Sequence, residues 1–202
     1  SGGNTLIVDV KDYTDMEIIG ATRDDAAGEC FDKAARVLDL PYPGGKPMDE
    51  LARQSQGGVY DLPPAHVDGA ALDMSFSGLK TAVVNLVHNA RQKGEELDRA
   101  ALARDFTRAV SDELVPRAME AARRCGRKTV VAAGGVAANS IIRADLNAAC
   151  DKAGIRLFVP PLSLCGDNGA MIGAQGYYEY LAGKRADLSL NAYATMDLDE
   201  KE

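Results

Sequence analysis

The stretch Thr129-Val130-Val131-Ala132-Ala133-Gly134-Gly135-Val136-Ala137-Ala138-Asn139 decides the fold. It reads as a buried strand over 129–133, a glycine turn, and a helix that starts near Asn139. A second strand follows at Arg156 to Val159 and a second helix at Asp167 to about Leu181. Strand, helix, strand, helix implies an α/β sheet with crossover helices, which presents ligands beyond its strand ends. Glycine at such a turn lets the backbone approach a flat or anionic group, and the next helix offers free amide donors. The plainer reading is a tight turn with Asn139 as N-cap. Cys165-Gly166-Asp167-Asn168-Gly169 repeats the arrangement, with Asp167 either a metal- or phosphate-associated carboxylate or a cap. Two such turns at one sheet edge favour a nucleotide pocket.

Toward the amino end, Leu6 to Val10 and Met16 to Gly20 read as paired strands joined by a turn at Asp12 to Asp15, and Ser1-Gly2-Gly3 as the turn before them. A domain that begins inside a glycine turn lacks the strand that should precede it, so the chain is expected to be the later part of a longer protein. From Asp24 the period becomes helical: Ala27, Phe31, Ala34 and Leu38 share a face, Asp24 or Asp25 is the expected cap, and Pro41 ends the run. A short helix is expected after the Pro41 to Pro47 loop, with Pro47 near its first position and Asp49 in its first turn. Further helices are expected from Ser77 to about Lys93 and from Asp98 to near Gly126, the latter kinked or divided at Pro116. The two ends of the chain together read as one sheet lobe, with the helices from Asp24 to Arg124 inserted into it.

The 202 residues, 46% hydrophobic and 26% charged, exclude a disordered chain and a disulfide-stapled miniprotein. There is no apolar run long enough for a membrane span and no signal-peptide pattern, so the expectation is a cytoplasmic protein with no membrane partner. Four separated cysteines without a C-x-x-C fit reduced thiols, and His66 and His88 are too distant in sequence to share a helical turn, so they do not by themselves make a complete His-rich metal site. A net charge of −7 argues against a surface coated for nucleic acid, although Arg123, Arg124, Arg127 and Lys128, with Arg117, form a local basic cluster. That cluster is either a phosphate footprint or a cationic helix end. Asp24, Asp25, Glu29 and Asp32 read as a solvated acidic face; Asp32 is also placed to accept hydroxyl hydrogen bonds beside a Gly-Gly loop.

Six ordered motifs are similar to those of the tRNA threonylcarbamoyladenosine transferase family, also called the glycoprotease or sialoglycoprotein endopeptidase family. They are Ser1-Gly2-Gly3, Asp24-Asp25-Ala26-Ala27-Gly28-Glu29-Cys30-Phe31-Asp32-Lys33, Tyr42-Pro43-Gly44-Gly45, Phe76-Ser77-Gly78-Leu79-Lys80, Ala133-Gly134-Gly135-Val136-Ala137-Ala138-Asn139 and Asp167-Asn168-Gly169-Ala170-Met171-Ile172. The resemblance covers essentially the whole chain. It implies the C-terminal lobe of an α/β protein of the actin, Hsp70 and sugar-kinase superfold: a ribonuclease-H-like sheet lobe (1–22 and 127–202) carrying a helical insertion (23–126), with the first lobe absent.

The activity implied is transfer of a threonylcarbamoyl group from threonylcarbamoyl-adenylate to the adenosine 3′-adjacent to the tRNA anticodon, releasing AMP, with this fragment inactive alone. By position, Ser1, Gly2 and Gly3 would border the phosphate and acyl end of the adenylate, and Asp32, Gly45, Asp49 and Asn139 the nucleotide. Asp167 matches the family's carboxylate ligand to one divalent metal ion, iron or zinc, and accessory proteins of the same modification pathway are implied partners. The family's H-x-x-x-H pair has no counterpart here, and Asn4 stands where the family commonly has His. A kinase-like or hydrolytic enzyme of the same superfold and a non-catalytic docking domain are the competing readings; protease chemistry is disfavoured, with no Ser, His and Asp grouping evident.

Overall fold

A computed structural model describes residues 3–64, 67, 69 and 71–192. Ser1, Gly2 and His66 lie outside the described residues. Two strands open the chain, β1 (Leu6–Asp12) and β2 (Asp15–Ala21), paired antiparallel with register shifts at Ile7/Val8 and Val10/Asp12. Four helices follow: α1 (Ala27–Val37), α2 (Gly45–Ala52), α3 (Ser77–Lys93) and α4 (Arg99–Arg124). The decisive stretch then gives β3 (Thr129–Val131), a 3-10 turn (Gly135–Ala138) and α5 (Ser140–Ala153), before β4 (Arg156–Phe158) and α6 (Gly169–Leu181). β4 lies parallel to β3, the right partner for a strand returning through a crossover helix.

One core joins the helices. The face repeated on α1 by Ala27, Cys30, Phe31, Ala34 and Ala35 packs with Met48 of α2, Leu79 and Val83 of α3, Phe106 and Val110 of α4, and Ile141, Ile142 and Leu146 of α5. Phe31 and Phe106 meet edge to face with centroids 5.2 Å apart. Small alanines let the helices approach closely, and Gly44 carries this furthest: a Cβ there would stand 2.4 Å from the Ala35 Cβ. Ile7, Ala132 and Leu157 pack onto this core from the strands, while Leu6, Val10, Val131 and Phe158 remain exposed.

Four expectations are corrected. The strands form two separate two-stranded sheets, β1–β2 and β3–β4, rather than one, because among the described residues no strand lies between β1 and β3. α4 is not divided at Pro116 but continues through it, held on both sides by packing of Val110, Val115, Ala121 and Ala122 that outweighs one lost hydrogen bond. Neither Asp24 nor Asp25 caps α1; the buried Thr5 Oγ1 accepts the Ala27 amide at 2.9 Å instead. Pro47 is the third residue of α2, and Asp49 lies beyond its first turn.

Asp24 serves a distant helix. Its carboxylate accepts from the Phe76 and Ser77 amides at 2.8 and 3.2 Å and from the Ser77 hydroxyl at 2.7 Å, which closes the amino end of α3. Burial works to raise the Asp24 pKa, but these bonds together outweigh it and hold the carboxyl below its ordinary value. Asp25 behaves alike: burial opposes ionisation, and Lys80 at 2.6 Å and Lys33 at 2.9 Å prevail. Both carboxylates tie the segment before α1 to α3, and Asp25 also holds Lys33 of α1.

The cysteines are free, and burial pushes the Cys30 thiol up to about 12, as fits an inert core residue. No described helix is long and apolar enough to cross a membrane.

Candidate functional site

Four of the expected site residues converge where α1, α2 and the amino end of α5 meet. Asp32, on α1, accepts the Gly44 amide through Oδ1 at 2.7 Å, which pins the start of α2. Among the described residues its other oxygen has no hydrogen-bond donor. Gly45, the first residue of α2, has nothing within 4 Å of the place a Cβ would occupy, so it faces open space where its neighbour Gly44 is tightly packed. Asp49 then crosses to α5: its Oδ1 accepts the Ser140 amide at 3.0 Å and the Ser140 hydroxyl at 2.6 Å.

Asn139 caps α5, its Oδ1 accepting the Ile141 and Ile142 amides at 3.0 and 3.1 Å. Two amide donors on that oxygen fix which side-chain atom is which, so the buried Nδ2 is a donor, and it has no partner among the described residues. An unpaired donor on a residue only 6% exposed is costly, and a ligand acceptor is one way to satisfy it. The expectation of free amides on α5 itself is corrected, because Asp49 and Asn139 take those of Ser140, Ile141 and Ile142. Gly134, at φ 95°, reverses the chain so that exposed Gly135 leads the 3-10 turn.

The second glycine turn is tethered to the first by a residue the sequence did not single out. Arg143 donates to Ala137 O, to Pro160 O at 2.6 Å and to Cys165 Sγ at 3.3 Å. No local pattern flags such a clamp, since its acceptors are backbone carbonyls and a thiol elsewhere in the chain. Ser140 was also missed, although a hydroxyl directly after an N-cap asparagine was its only signal.

Asp167 stands apart from these residues, exposed and with no partner among the described residues. It does not cap α6; Asn168 does, accepting the Met171 amide at 3.1 Å. Among the described residues no group of three or more His, Cys, Asp or Glu is placed to hold a metal ion. Gly3 leads into β1, and the Asn4 and Thr5 that follow line the same cleft as Ala133, Val136 and Ala137.

The basic cluster is partly neutralised, by three carboxylates. Arg123 and Arg124 both bind Glu120 at 2.7 Å and hold its carboxyl at about 2 through their hydrogen bonds. Arg127 grips Asp9 at 2.6 and 3.0 Å. Arg117 pairs with the buried Glu113 at 2.8 Å. Burial keeps Glu113 above its ordinary pKa despite the Ser75 amide and Arg117.

The fold is similar to part of a crystal structure of T. kodakarensis HypF, with a TM-score of 0.55 and 23% identity over 79% of this chain and 20% of that one. In sequence the chain is 49% identical to a tRNA N6-adenosine threonylcarbamoyltransferase of Moorella thermoacetica, matching 98% of this chain and 58% of that protein. The relative of that name from Bacillus cereus is 50% identical over 98% and 58%, and one from Clostridium botulinum 44% identical over 100% and 59%. The chain thus spans a little under three-fifths of these relatives. The family model described as tRNA N6-adenosine threonylcarbamoyltransferase matches residues 1–174, and the chain belongs to that family.

Proposed function

We propose that this chain is the nucleotide-binding lobe of an enzyme that moves a threonylcarbamoyl group from threonylcarbamoyl-adenylate to the N6 amine of an adenosine beside the tRNA anticodon. The observation that carries the reading is the meeting of Asp32, Gly45 and Asp49 with the start of α5, where Asn139 Nδ2 has no partner among the described residues. Asp32 has an oxygen left for a ribose hydroxyl, Gly45 leaves room for a flat group, and Asn139 supplies a donor. Asp49 acts through Ser140, holding the turn that presents Asn139. Ser1, Gly2 and Gly3 border the phosphate and acyl end in this reading.

The donor is a mixed anhydride, already activated. The amine attacks the carbamoyl carbon, the bond to the phosphate oxygen breaks, AMP leaves with that electron pair, and the amine gives up a proton. The lobe's work is to bind and orient the adenylate so that the amine meets the carbon in line. Asp167 is proposed as one carboxylate ligand of a divalent ion, iron or zinc, whose remaining donors lie outside the described residues. When bound, such an ion neutralises charge on the leaving phosphate; no step here depends on it.

The same proposal includes the ribonuclease-H-like division into residues 1–22 with 127–202 and an inserted 23–126, tRNA and accessory proteins as partners, and a cytoplasmic location. The test is mass spectrometry of tRNA nucleosides from cells depleted of the full-length protein. Loss of threonylcarbamoyladenosine, restored by the wild-type gene and not by an Asp32→Ala variant, is expected; an unchanged level overturns the reading.

A further inference from the structure

A cleft of about 440 Å³ opens at the end of the chain's fold that lies away from the candidate site. β3 runs from it toward the Gly134 turn, and α5 runs back to it from Asn139, so the 14 residues of α5, about 21 Å of helix, separate the two places. Its floor is apolar, with Met119 and Ala122 of α4 and Ile155 just beyond α5. Its rim is basic, with Arg123, Arg127 and Lys128. Nearby carboxylates do not balance that rim. Arg123 and Arg124 share Glu120, Arg127 has Asp9, and Lys128 is exposed with no ion pair among the described residues. Four cations thus stand against two carboxylates.

The sequence carries a segment of matching chemistry. Met196-Asp197-Leu198-Asp199-Glu200-Lys201-Glu202 sets two apolar side chains among four carboxylates, and it lies outside the described residues. α6 brings the chain to the same end of the fold: Gln175 donates to Tyr13 O at 3.0 Å, and Tyr178 stacks on the Tyr13 ring. Asp9, four residues before Tyr13, holds Arg127 on the cleft rim. Four strand residues span about 13 Å, whereas eighteen residues separate Tyr178 from Met196, so the segment has chain to spare. We infer that residues 196–202 occupy this cleft in their own chain, with Met196 and Leu198 on the floor and their carboxylates beside Lys128 and the arginines. The rim selects an acidic partner, and the floor selects one whose acids alternate with apolar groups, which a phosphate backbone does not offer. The inference does not depend on the transfer reading, since the cleft and the candidate site lie at opposite ends of α5.

The experiment is carbodiimide coupling of the full-length protein, which joins a lysine to a carboxylate in contact with it, read by peptide mass spectrometry. Lys128 should join Asp197, Asp199, Glu200 or Glu202, with the Lys80 to Asp25 pair, 2.6 Å apart, as the internal control. Changing Met196 and Leu198 to Ser keeps every charge and should cut the Lys128 yield at least about five-fold, because the apolar burial that seats the segment is gone. A mixture of light and isotopically heavy protein identifies the copy, and joins within one copy are expected. The proposal is overturned if Lys128 joins none of the four acids while the control pair joins, or if the serine variant keeps the full yield. Joins found only between light and heavy copies would also overturn it, making a second copy the donor of the segment.

Discussion

Asp49 holds both the amide and the hydroxyl of Ser140 with one carboxylate oxygen, at 3.0 and 2.6 Å, and so fastens α2 to the first residue of α5. A bond between elements 91 residues apart should register as coupling between the two side chains. In a double-mutant cycle of Asp49→Ala and Ser140→Ala, urea unfolding should give an interaction energy of about 1 kcal/mol. Additive losses would mean that the hydroxyl contact contributes nothing.

The two glycines that open α2 should respond oppositely. Gly44→Ala drives a methyl into Ala35 and should cost roughly 1–3 kcal/mol, whereas Gly45→Ala meets no atom within 4 Å and should leave the melting temperature nearly unchanged. If Gly45 borders the nucleotide, its variant in the complete enzyme raises the KM for the adenylate at normal stability. Equal stability losses at both positions would remove the contrast.

Asp24 predicts an acid limb in stability. Its folded-state pKa lies below the value of about 3.9 expected for an unfolded aspartate, so its stabilisation is complete above that value and disappears as pH falls through the lower, folded one. Asp25 adds to the same limb with the same sign. Replacing Asp24 with Asn should flatten stability against pH in this acid range, measured by urea midpoints from pH 2 to about 6. A curve parallel to wild type would dismiss Asp24 as a contributor.

Asp167 should be nearly silent in stability. Since Asn168 is the cap, Asn168→Ala should cost about 1 kcal/mol, and Asp167→Asn and Asp167→Ala each less than about 0.5 kcal/mol. In the complete enzyme both Asp167 variants should lose transfer activity by orders of magnitude and lose bound metal. Retention of full activity and metal by either one would take Asp167 out of the site.

The paired arginines should contribute little to tRNA binding. With Arg123 and Arg124 sharing Glu120 and Arg127 held by Asp9, one positive charge of the three is left over, so changing Arg123, Arg124 and Arg127 to Glu in the complete enzyme should alter the slope of log K against log salt by no more than about one unit. A flattening by two or three units would restore the cluster as a phosphate footprint.

Local patterns were legible and distant ones were not. The helical faces of α1, α3 and α4 follow from apolar spacing, and Asn139 was readable as a cap because it bonds residues two and three positions on. Thr5 capping α1 from 22 residues away leaves no such trace. Neither does Asp9 neutralising Arg127 across 118 residues, so a run of basic side chains looked more charged than it is. The sheet was over-read for a related reason: strand propensity identifies β1 and β3, but pairing depends on what lies between them. Within the candidate site the residue types were visible, whereas the tightness of Gly44, the reach of Asp49 and the Arg143 clamp emerge only when three helices are brought together.

Arg143 gives the two glycine turns a common mechanical fate. One planar guanidinium bridges Ala137, Pro160 and Cys165, so a shift in either bank of the candidate pocket strains hydrogen bonds to the other. The banks therefore resist opening separately, and a ligand that steadies the Gly134 turn also stiffens the loop leading to Asp167. The same linkage carries damage: oxidation of Cys165 to a bulkier sulfur acid would push on the guanidinium and reach Ala137, disturbing the candidate pocket through a thiol on its far bank.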